Sequence, residues 1–480
     1  MKGLLYYIVI ALLALTACDD YDKWTTSTSA RLTFSADTVA FDTVITGQGS
    51  TQRTLIAFNH NSSGLRIESV ELAQGAASPF MVNVDGQYLY EGRGEDFEVY
   101  GKDSLYVRIA VSLPETDSDE IQPYSDELVF TLESGVRQSV TLTAQGMDVI
   151  ILKGEVITED ETLDARRPYL VYDSLVVSEG ATLTLPEGCT LMLHDSTSLL
   201  VHGTLKALGT LERPVTFRGD RTDNMFSYLP YDNTPNRWGG IHFFGSSTGN
   251  ELTQCDIHGG DYGILCDSTS LEDTSTPLLR LSDCVVHNIG GDGLWLKHCV
   301  TEVTGTQISN TLGDCLHILG GGHTFIHCTI AQFYPFTSAR GDALYMTNYN
   351  EETAYPLLWC DFVNCVITGY ADDVIMGSIA EDEDNLCDYL FLNSLLRTER
   401  SQDEQRFRNI VYDTDSLEVS GKDHFTLFDT YAFLYDFTPD SLSAIRGLAD
   451  EEYAKQYPLD RKGTSRLADG APDAGAYEGQ

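Results

Sequence analysis

Cys255-Asp256-Ile257, Cys284-Val285-Val286, Thr306-Gln307-Ile308, Cys328-Thr329-Ile330 and Cys365-Val366-Ile367 are five copies of one short pattern. Each is followed by a second short apolar stretch: Gly263-Ile264-Leu265-Cys266, Gly293-Leu294-Trp295-Leu296, Cys315-Leu316-His317-Ile318, Ala343-Leu344-Tyr345-Met346 and Val374-Ile375-Met376. The first members stand 29, 22, 22 and 37 residues apart. A period of roughly 20–30 residues built from very short strands marks a coiled parallel sheet, in which each coil buries its apolar side against the next. Longer gaps are insertions in turns. Parallel strands stack about 4.8 Å apart, so equivalent residues form columns. The expectation is an all-β chain whose residues 149–480 form a right-handed parallel β-helix. Its aromatic run Phe425–Phe437 would cap the open end of the core.

The texture begins upstream. Val171–Val177, Gly180–Cys189, Leu199–Thr210 and Arg213–Phe217 are short strands that end in Gly or a turn, with no helical period, and Trp238-Gly239-Gly240-Ile241-His242-Phe243 follows. Residues 30–146 differ. Thr38–Val44, Thr54–Phe58, Leu65–Val70, Leu105–Val111 and Ser139–Ala144 alternate with period two and are broken by Gly, Asn and Ser turns. That pattern predicts a small antiparallel β-sandwich ahead of the β-helix.

The cysteines follow the repeat. Eleven are present; apart from Cys18, all lie between Cys189 and Cys387. Cys255, Cys284, Cys328 and Cys365 share one column and are expected to face inward, where small polarizable thiols pack in a narrow coil. No Cys-x-x-Cys pair or zinc-type Cys/His spacing occurs.

Met1-Lys2-Gly3 precedes an apolar run from Leu4 to Leu15, too short to span a bilayer comfortably and of the length of a secretory signal. It ends Leu15-Thr16-Ala17-Cys18, which resembles a bacterial lipobox. That resemblance implies removal of residues 1–17, acylation of Cys18 and anchoring in a membrane through lipid. Residues 18–29 would be a tether, and its Asp19, Asp20 and Asp22 resemble the surface-export signal of Bacteroidota lipoproteins. An outer-membrane, surface-exposed location follows from that resemblance. The sandwich resembles immunoglobulin-like domains of the Hydin/SPD-2 type. Pro472-Asp473-Ala474-Gly475-Ala476-Tyr477-Glu478 resembles the last coil of "choice-of-anchor Q" β-helix proteins. Such families share a shape rather than one activity.

Thirty Lys and Arg stand against 72 Asp and Glu in 480 residues, a net charge of −42. That charge excludes nucleic acid as a partner and disfavours polyanionic glycans unless a cation bridges them. Dispersed charges and 42% hydrophobic residues indicate a folded chain rather than an acidic tail.

Three groups of residues carry candidate chemistry. Leu265, Trp295, His317, Tyr345 and Met376 fill the outward position of the second strand. Trp295, His317 and Tyr345 would put three flat rings on consecutive coils, a platform for the apolar faces of sugars. Insertion Asn348–Leu358 would hide them if it folds over this flank. Just before each second strand stands an acidic column, Asp292, Asp314, Asp342 and Asp373, with Asp372 beside the last. Repulsion between carboxylates so spaced must be offset by water, turn N–H groups, Arg340 or calcium, whose ligands are hard carboxylate oxygens. Paired carboxylates also hydrolyse glycosides, and Asp342, Asp372 and Asp373 are the candidates, with Arg340 as a basic partner. A lyase would draw its base from Lys297, Arg340 or Tyr345. The Asn-Thr-Asp, Gly-His-Gly and Arg-x-Lys elements of polygalacturonase-type β-helices are missing, and Gly322-His323-Thr324 is only a fragment. His258 and His287 stack in a column after the first strand and read as exposed turn residues, with metal binding as the other reading.

Three function classes remain open from the residues: binding of glycan or another surface polymer, a polysaccharide lyase or glycoside hydrolase, and an adhesin-like scaffold without a small ligand. The ring strip favours the first, an open groove with converging carboxylates the second, and a featureless flank the third.

Overall fold

The computed structural model describes residues 23–351, 353–380 and 386–479. Cys18, the signal segment and the start of the tether lie outside the described residues. The chain divides into two compact units, Met1–Asp148 and Val149–Gln480. Among the described residues no helix is long and apolar enough to cross a membrane.

The first unit is a sandwich of two five-stranded sheets. Alternation sets its core. Leu55, Ala57, Leu105, Val107, Ile109, Val82 and Val84 of one sheet face Val39, Phe41, Ile67, Val70, Phe130, Val140 and Leu142 of the other. Among the described strands of the two sheets all pairings are antiparallel except one: Arg137–Met147 runs parallel to Thr38–Ile45, with a register shift between Ala144 and Gln145. Strands Phe80–Val84, Arg93–Val99 and Gln122–Leu132 complete the sheets.

The second unit is a parallel β-helix with three flanks, one more than the sequence repeat displays. The first flank contains Cys255–His258, Val285–Ile289, Gln307–Thr311, Thr329–Gln332 and Val366–Gly369. Its register pairs Val285 with Gln307, Gln307 with Thr329 and Thr329 with Val366. The second flank contains Ile264–Cys266, Leu294–Lys297, Leu316–Leu319, Leu344–Thr347 and Ile375–Ser378. The third contains Leu279–Ser282, Val300–Thr304, Gly321–Ile326, Leu357–Val363 and Leu390–Leu392. Inside the third flank, Phe325, Phe362, Phe391 and Phe407 stack in register with centroids 4.7, 4.9 and 5.0 Å apart. The glycine run belongs to this flank: Gly321 takes a φ of +99°, and a Cβ on Gly322 would lie 2.5 Å from the Trp359 ring.

One corner repeats with little variation. A single residue with left-handed backbone joins the third flank to the first: Gln254, Asp283, Gly305, His327, Asn364, Asn393 and Asn409, with φ between 48° and 57°. Asn, Asp and Gly tolerate this conformation best. The next residue is the inward column, Cys255, Cys284, Thr306, Cys328, Cys365 and Ser394, all fully buried. Its side chains do more than fill space. The Cys284 N–H donates to Thr306 Oγ1 at 3.2 Å and the Cys365 N–H to Ser394 Oγ at 3.0 Å. Thr306 Oγ1 donates to the Thr304 carbonyl at 2.9 Å, Ser394 Oγ to Leu392 at 2.8 Å and Cys284 Sγ to Ser282 at 3.3 Å. A small group that both donates and accepts satisfies the backbone where the ladder breaks at the bend.

The C-terminal segment corrects one expectation. Phe425–Asp429 and Leu434–Pro439 pair as a hairpin, but it does not close the end of the core. It packs sideways on the first flank, where Ala331, Phe333, Val366 and Leu395 meet Phe425, Phe437, Ile445, Ala474, Ala476 and Tyr477. Outward residues of that flank are apolar here, so they require a lateral cover. Pro472–Glu478 is likewise not a coil. It carries no strand and crosses the outside of the same flank: the Ala476 N–H donates to Thr329 Oγ1 at 2.9 Å, and Tyr477 Oη donates to Gln307 Oε1.

Candidate functional site

The second flank carries the outward column that the repeat predicts. Leu265 pairs with Trp295, Trp295 with His317, His317 with Tyr345 and Tyr345 with Met376. Neighbours along each strand point inward to the core, so these five side chains point out. Trp295, His317 and Tyr345 are half-buried and Met376 is exposed. Ring centroids are 5.6 Å apart for Trp295–His317 and 4.8 Å for His317–Tyr345, each pair tilted by 45°. Lys297 Nζ sits 4.0 Å from the Trp295 ring and 3.5 Å from Asp267 Oδ1. The insertion after Asn348 lies against the end of this flank: its hairpin pairs Tyr349 with Ala354, Tyr349 Oη bonds Ser378 Oγ, Tyr355 packs 5.4 Å from His298, and Asn348 Nδ2 donates to the Ala380 carbonyl.

The acidic column runs beside the rings. Asp292 Oδ1 accepts the Asp314 N–H at 2.7 Å, and Asp314 Oδ1 accepts the Asp342 N–H at 2.8 Å. Asp373 Oδ1 instead accepts the N–H of Ile375 in its own turn. His317 Nδ1 lies 3.1 Å from Asp314 Oδ2 and 3.5 Å from Asp292 Oδ2. Burial would lower this imidazole, but the two carboxylates outweigh it and hold it at about 9, so His317 is a cation at neutral pH. Backbone N–H groups and His317 thus offset the repulsion along the ladder. The structure brings Asp292 and Asp314 together with His317; Asp342 continues the ladder without joining that cluster. Burial, with the charges of Asp314 and Asp373, pushes the Asp342 carboxyl above its usual range.

The remaining candidates separate. Arg340 stacks on Tyr370 at 4.6 Å. Asp372, almost fully exposed, pairs at 3.4 Å with buried Arg397, which also meets Asp413 and Asp415. His323 faces the interior of the third flank between Thr301 Oγ1 and the Gly320 carbonyl. Burial lowers it to about 4, so it is neutral and structural.

A second cluster lies on the first flank. His258 and His287 are not exposed turn residues: both belong to strands, pair in register, and stack at 4.9 Å. His258 Nδ1 is 2.7 Å from Asp256 Oδ1, and its Nε2 is 2.9 Å from Asp232 Oδ1. His287 Nε2 is 3.2 Å from the same Asp256 oxygen, and Arg218 meets Asp232 at 2.9 Å. Asp256 and His287 open onto a cavity of about 480 Å³ between this flank and the lateral cover, where Gln307, Ser309, Lys462 and Tyr477 also contribute wall. Sequence reading registered the His column but not Asp232, which enters from the turn Tyr231–Asn233 inside a long insertion.

Nine cysteines of the second unit are buried free thiols.

No family model matches the chain, and no curated protein matches it. Among solved structures it is similar to the ASH/PapD-like domain of human CEP192, at 14% identity over 26% of this chain and 91% of that one, with a TM-score of 0.18. The Escherichia coli chaperone DraB gives 17% identity over 24% and 54%, with a TM-score of 0.17. A Porphyromonas gingivalis W83 protein of unknown function gives 14% over 28% and 60%, with a TM-score of 0.18. Likenesses this low carry no argument, and the fold described above rests on the strand pairings themselves.

Proposed function

We propose that this is a lipid-anchored surface protein of the Bacteroidota type, whose β-helix binds a carbohydrate polymer along its second flank. The reading of the anchor rests on the Leu15–Cys18 lipobox, with Cys18 as the acylated residue and the sandwich as a spacer. The binding reading is carried by one observation: Trp295, His317 and Tyr345 stand on consecutive coils, in register and each part-exposed. Rings spaced by the strand repeat along the β-helix axis suit an extended polymer lying parallel to that axis. Polar groups beside the rings, Lys297, Asp292 and Asp314, would take hydroxyls. The net charge of −42 favours a neutral polymer.

Pull-down with a panel of neutral and acidic polysaccharides tests it. Retention of at least one polymer by the native chain, weakened tenfold or more by Trp295→Ala, is expected. Equal retention by Trp295→Ala sinks the strip as the site. Palmitate labelling of the expressed chain, lost in Cys18→Ala, tests the anchor.

A carbohydrate-active enzyme is the second reading, favoured by Asp342. A half-buried carboxyl with a raised pKa, two residues beyond Arg340 and close to Tyr345 in sequence, has the character of a general acid. New reducing ends or unsaturated products, lost in Asp342→Asn, would make this reading primary.

A further inference from the structure

We propose that Asp256, His258 and His287 form a binding site for a divalent transition metal of the zinc class, with an open coordination position facing the cavity beneath the lateral cover. Two imidazoles and a carboxylate are the donor set of open zinc sites, which leave a fourth position for water or a ligand. The three donor atoms already converge within 4.8 Å of one another. With bonds of roughly 2.0–2.1 Å, tetrahedral ligands stand roughly 3.3 Å apart. Asp256 Oδ1 is 2.7 Å from His258 Nδ1 and 3.2 Å from His287 Nε2, so one edge already has the tetrahedral spacing and the other must open as an ion replaces the bridging proton.

Two further observations point to a ligand. The first is the outer shell. A metal-bound histidine nearly always donates its other ring N–H to a carboxylate, a backbone carbonyl or water, which fixes the ring and strengthens the ligating nitrogen. Asp232 occupies that place on His258 Nε2 at 2.9 Å, and Arg218 in turn holds Asp232 at 2.9 Å. The second is the wall of the cavity. Asn288 and Asn310, only 6% and 2% exposed, line it, and the side-chain carbonyl oxygen of each is buried with no hydrogen-bond partner among the described residues. Buried acceptors left unpaired are costly, and donors on a metal-bound water or ligand would satisfy them. Both imidazoles lose their bridging protons to the ion, so binding releases protons.

The test uses the full chain, stripped with chelator and dialysed against zinc chloride. One zinc per chain, with a rise in melting temperature on addition of the ion, is expected. Cobalt chloride in place of zinc should give visible absorption from a nitrogen and oxygen ligand field. His287→Gln, half-buried and replaceable without a cavity, should keep the native circular dichroism, bind zinc at least tenfold more weakly and lose the cobalt band. His194→Gln, which breaks a separate pair between His194 Nδ1 and Asp220 Oδ2 (2.6 Å), should leave both unchanged. Absence of stoichiometric zinc in the native chain overturns the proposal. So does zinc retained in folded His287→Gln, or zinc lost in His317→Gln instead, which would place the ion on the second flank.

Discussion

Asp292 Oδ1 accepts the backbone N–H of Asp314 at 2.7 Å, doing at the edge of the second flank what a carbonyl does within it. The carboxylate therefore extends the hydrogen-bond ladder by one rung beyond the strand. Asp292→Ala strands a backbone donor in a half-buried turn, which typically costs about 1–3 kcal/mol. Asp292→Asn keeps an acceptor and should cost less. Urea denaturation of the two variants should show that order.

His317 gives the molecule a pH dependence with a fixed sign. Its folded pKa of about 9, raised against burial by Asp292 and Asp314, exceeds the unfolded value of about 6.5. The folded state therefore binds the extra proton. This contribution is fully present below pH 6.5 and is lost as pH rises through 9. Lys297 and Tyr345 flank the same ring strip and should be included as variants in a melting series between pH 6 and 10. His317→Gln should flatten the slope in that window.

Buried thiols of the β-helix should be inert. Burial pushes Cys189 and Cys315 up to about 12 and Cys255 well above its usual range. Since the thiolate is the reactive form, a thiol reagent at neutral pH should label the nine buried cysteines only after denaturant is added. Rapid labelling of the native chain would contradict the packing.

Cys284 should accept threonine but not leucine. Thr306 already holds the same column, with a hydroxyl making the bonds that thiols make elsewhere. Cys284→Thr is expected to change the unfolding midpoint little. Cys284→Leu overfills a fully buried position and should cost about 1–3 kcal/mol.

Phe333 anchors the lateral cover, with Phe425, Phe428 and Phe437 around its ring at 4.8–6.3 Å. Phe333→Ala should cost about 3–5 kcal/mol if the unit unfolds as a whole. Limited proteolysis would show cleavage within Phe425–Pro439 before the β-helix itself is cut.

The two flanks legible in the sequence were those whose strands show both an apolar core face and a distinctive outer residue. Register fixed by Cys255, Cys284 and Cys365 carried over directly to Trp295, His317 and Tyr345. The third flank is not legible because Leu279–Ser282, Val300–Thr304 and Gly321–Ile326 repeat no single amino acid in register; what they share is one apolar inward position, Leu281, Val303 and Phe325. Its signal was one residue earlier than the repeat as aligned: Asp283, Gly305, Asn364, Asn393 and Asn409 mark the bend that joins it to the first flank. Lateral placement of Phe425–Phe437 was illegible for another reason. An apolar hairpin covers an end or a side equally well, and the choice depends on Ala331, Phe333 and Val366 facing outward, which requires knowing the face of each strand. Asp232 beside His258 is a contact 26 residues apart through an insertion, and no periodicity announces it.

The one-residue bend has a consequence for how such a chain can vary. From Asn250 onward the connection from the third flank to the first is one or two residues, as between Thr253 and Cys255 or Val363 and Val366, whereas the earlier coils take four or six, as between Leu185 and Thr190 or Leu208 and Val215. From the second flank to the third it ranges from the single residue between Leu319 and Gly321 to the long segment between Cys266 and Leu279. Pairing in the sheets continues in register regardless. In the coils from Asn250 onward one edge of the prism thus acts as a fixed spine, and added sequence at the other corners emerges as decoration. New surface chemistry can be acquired there coil by coil, without renegotiating the interior.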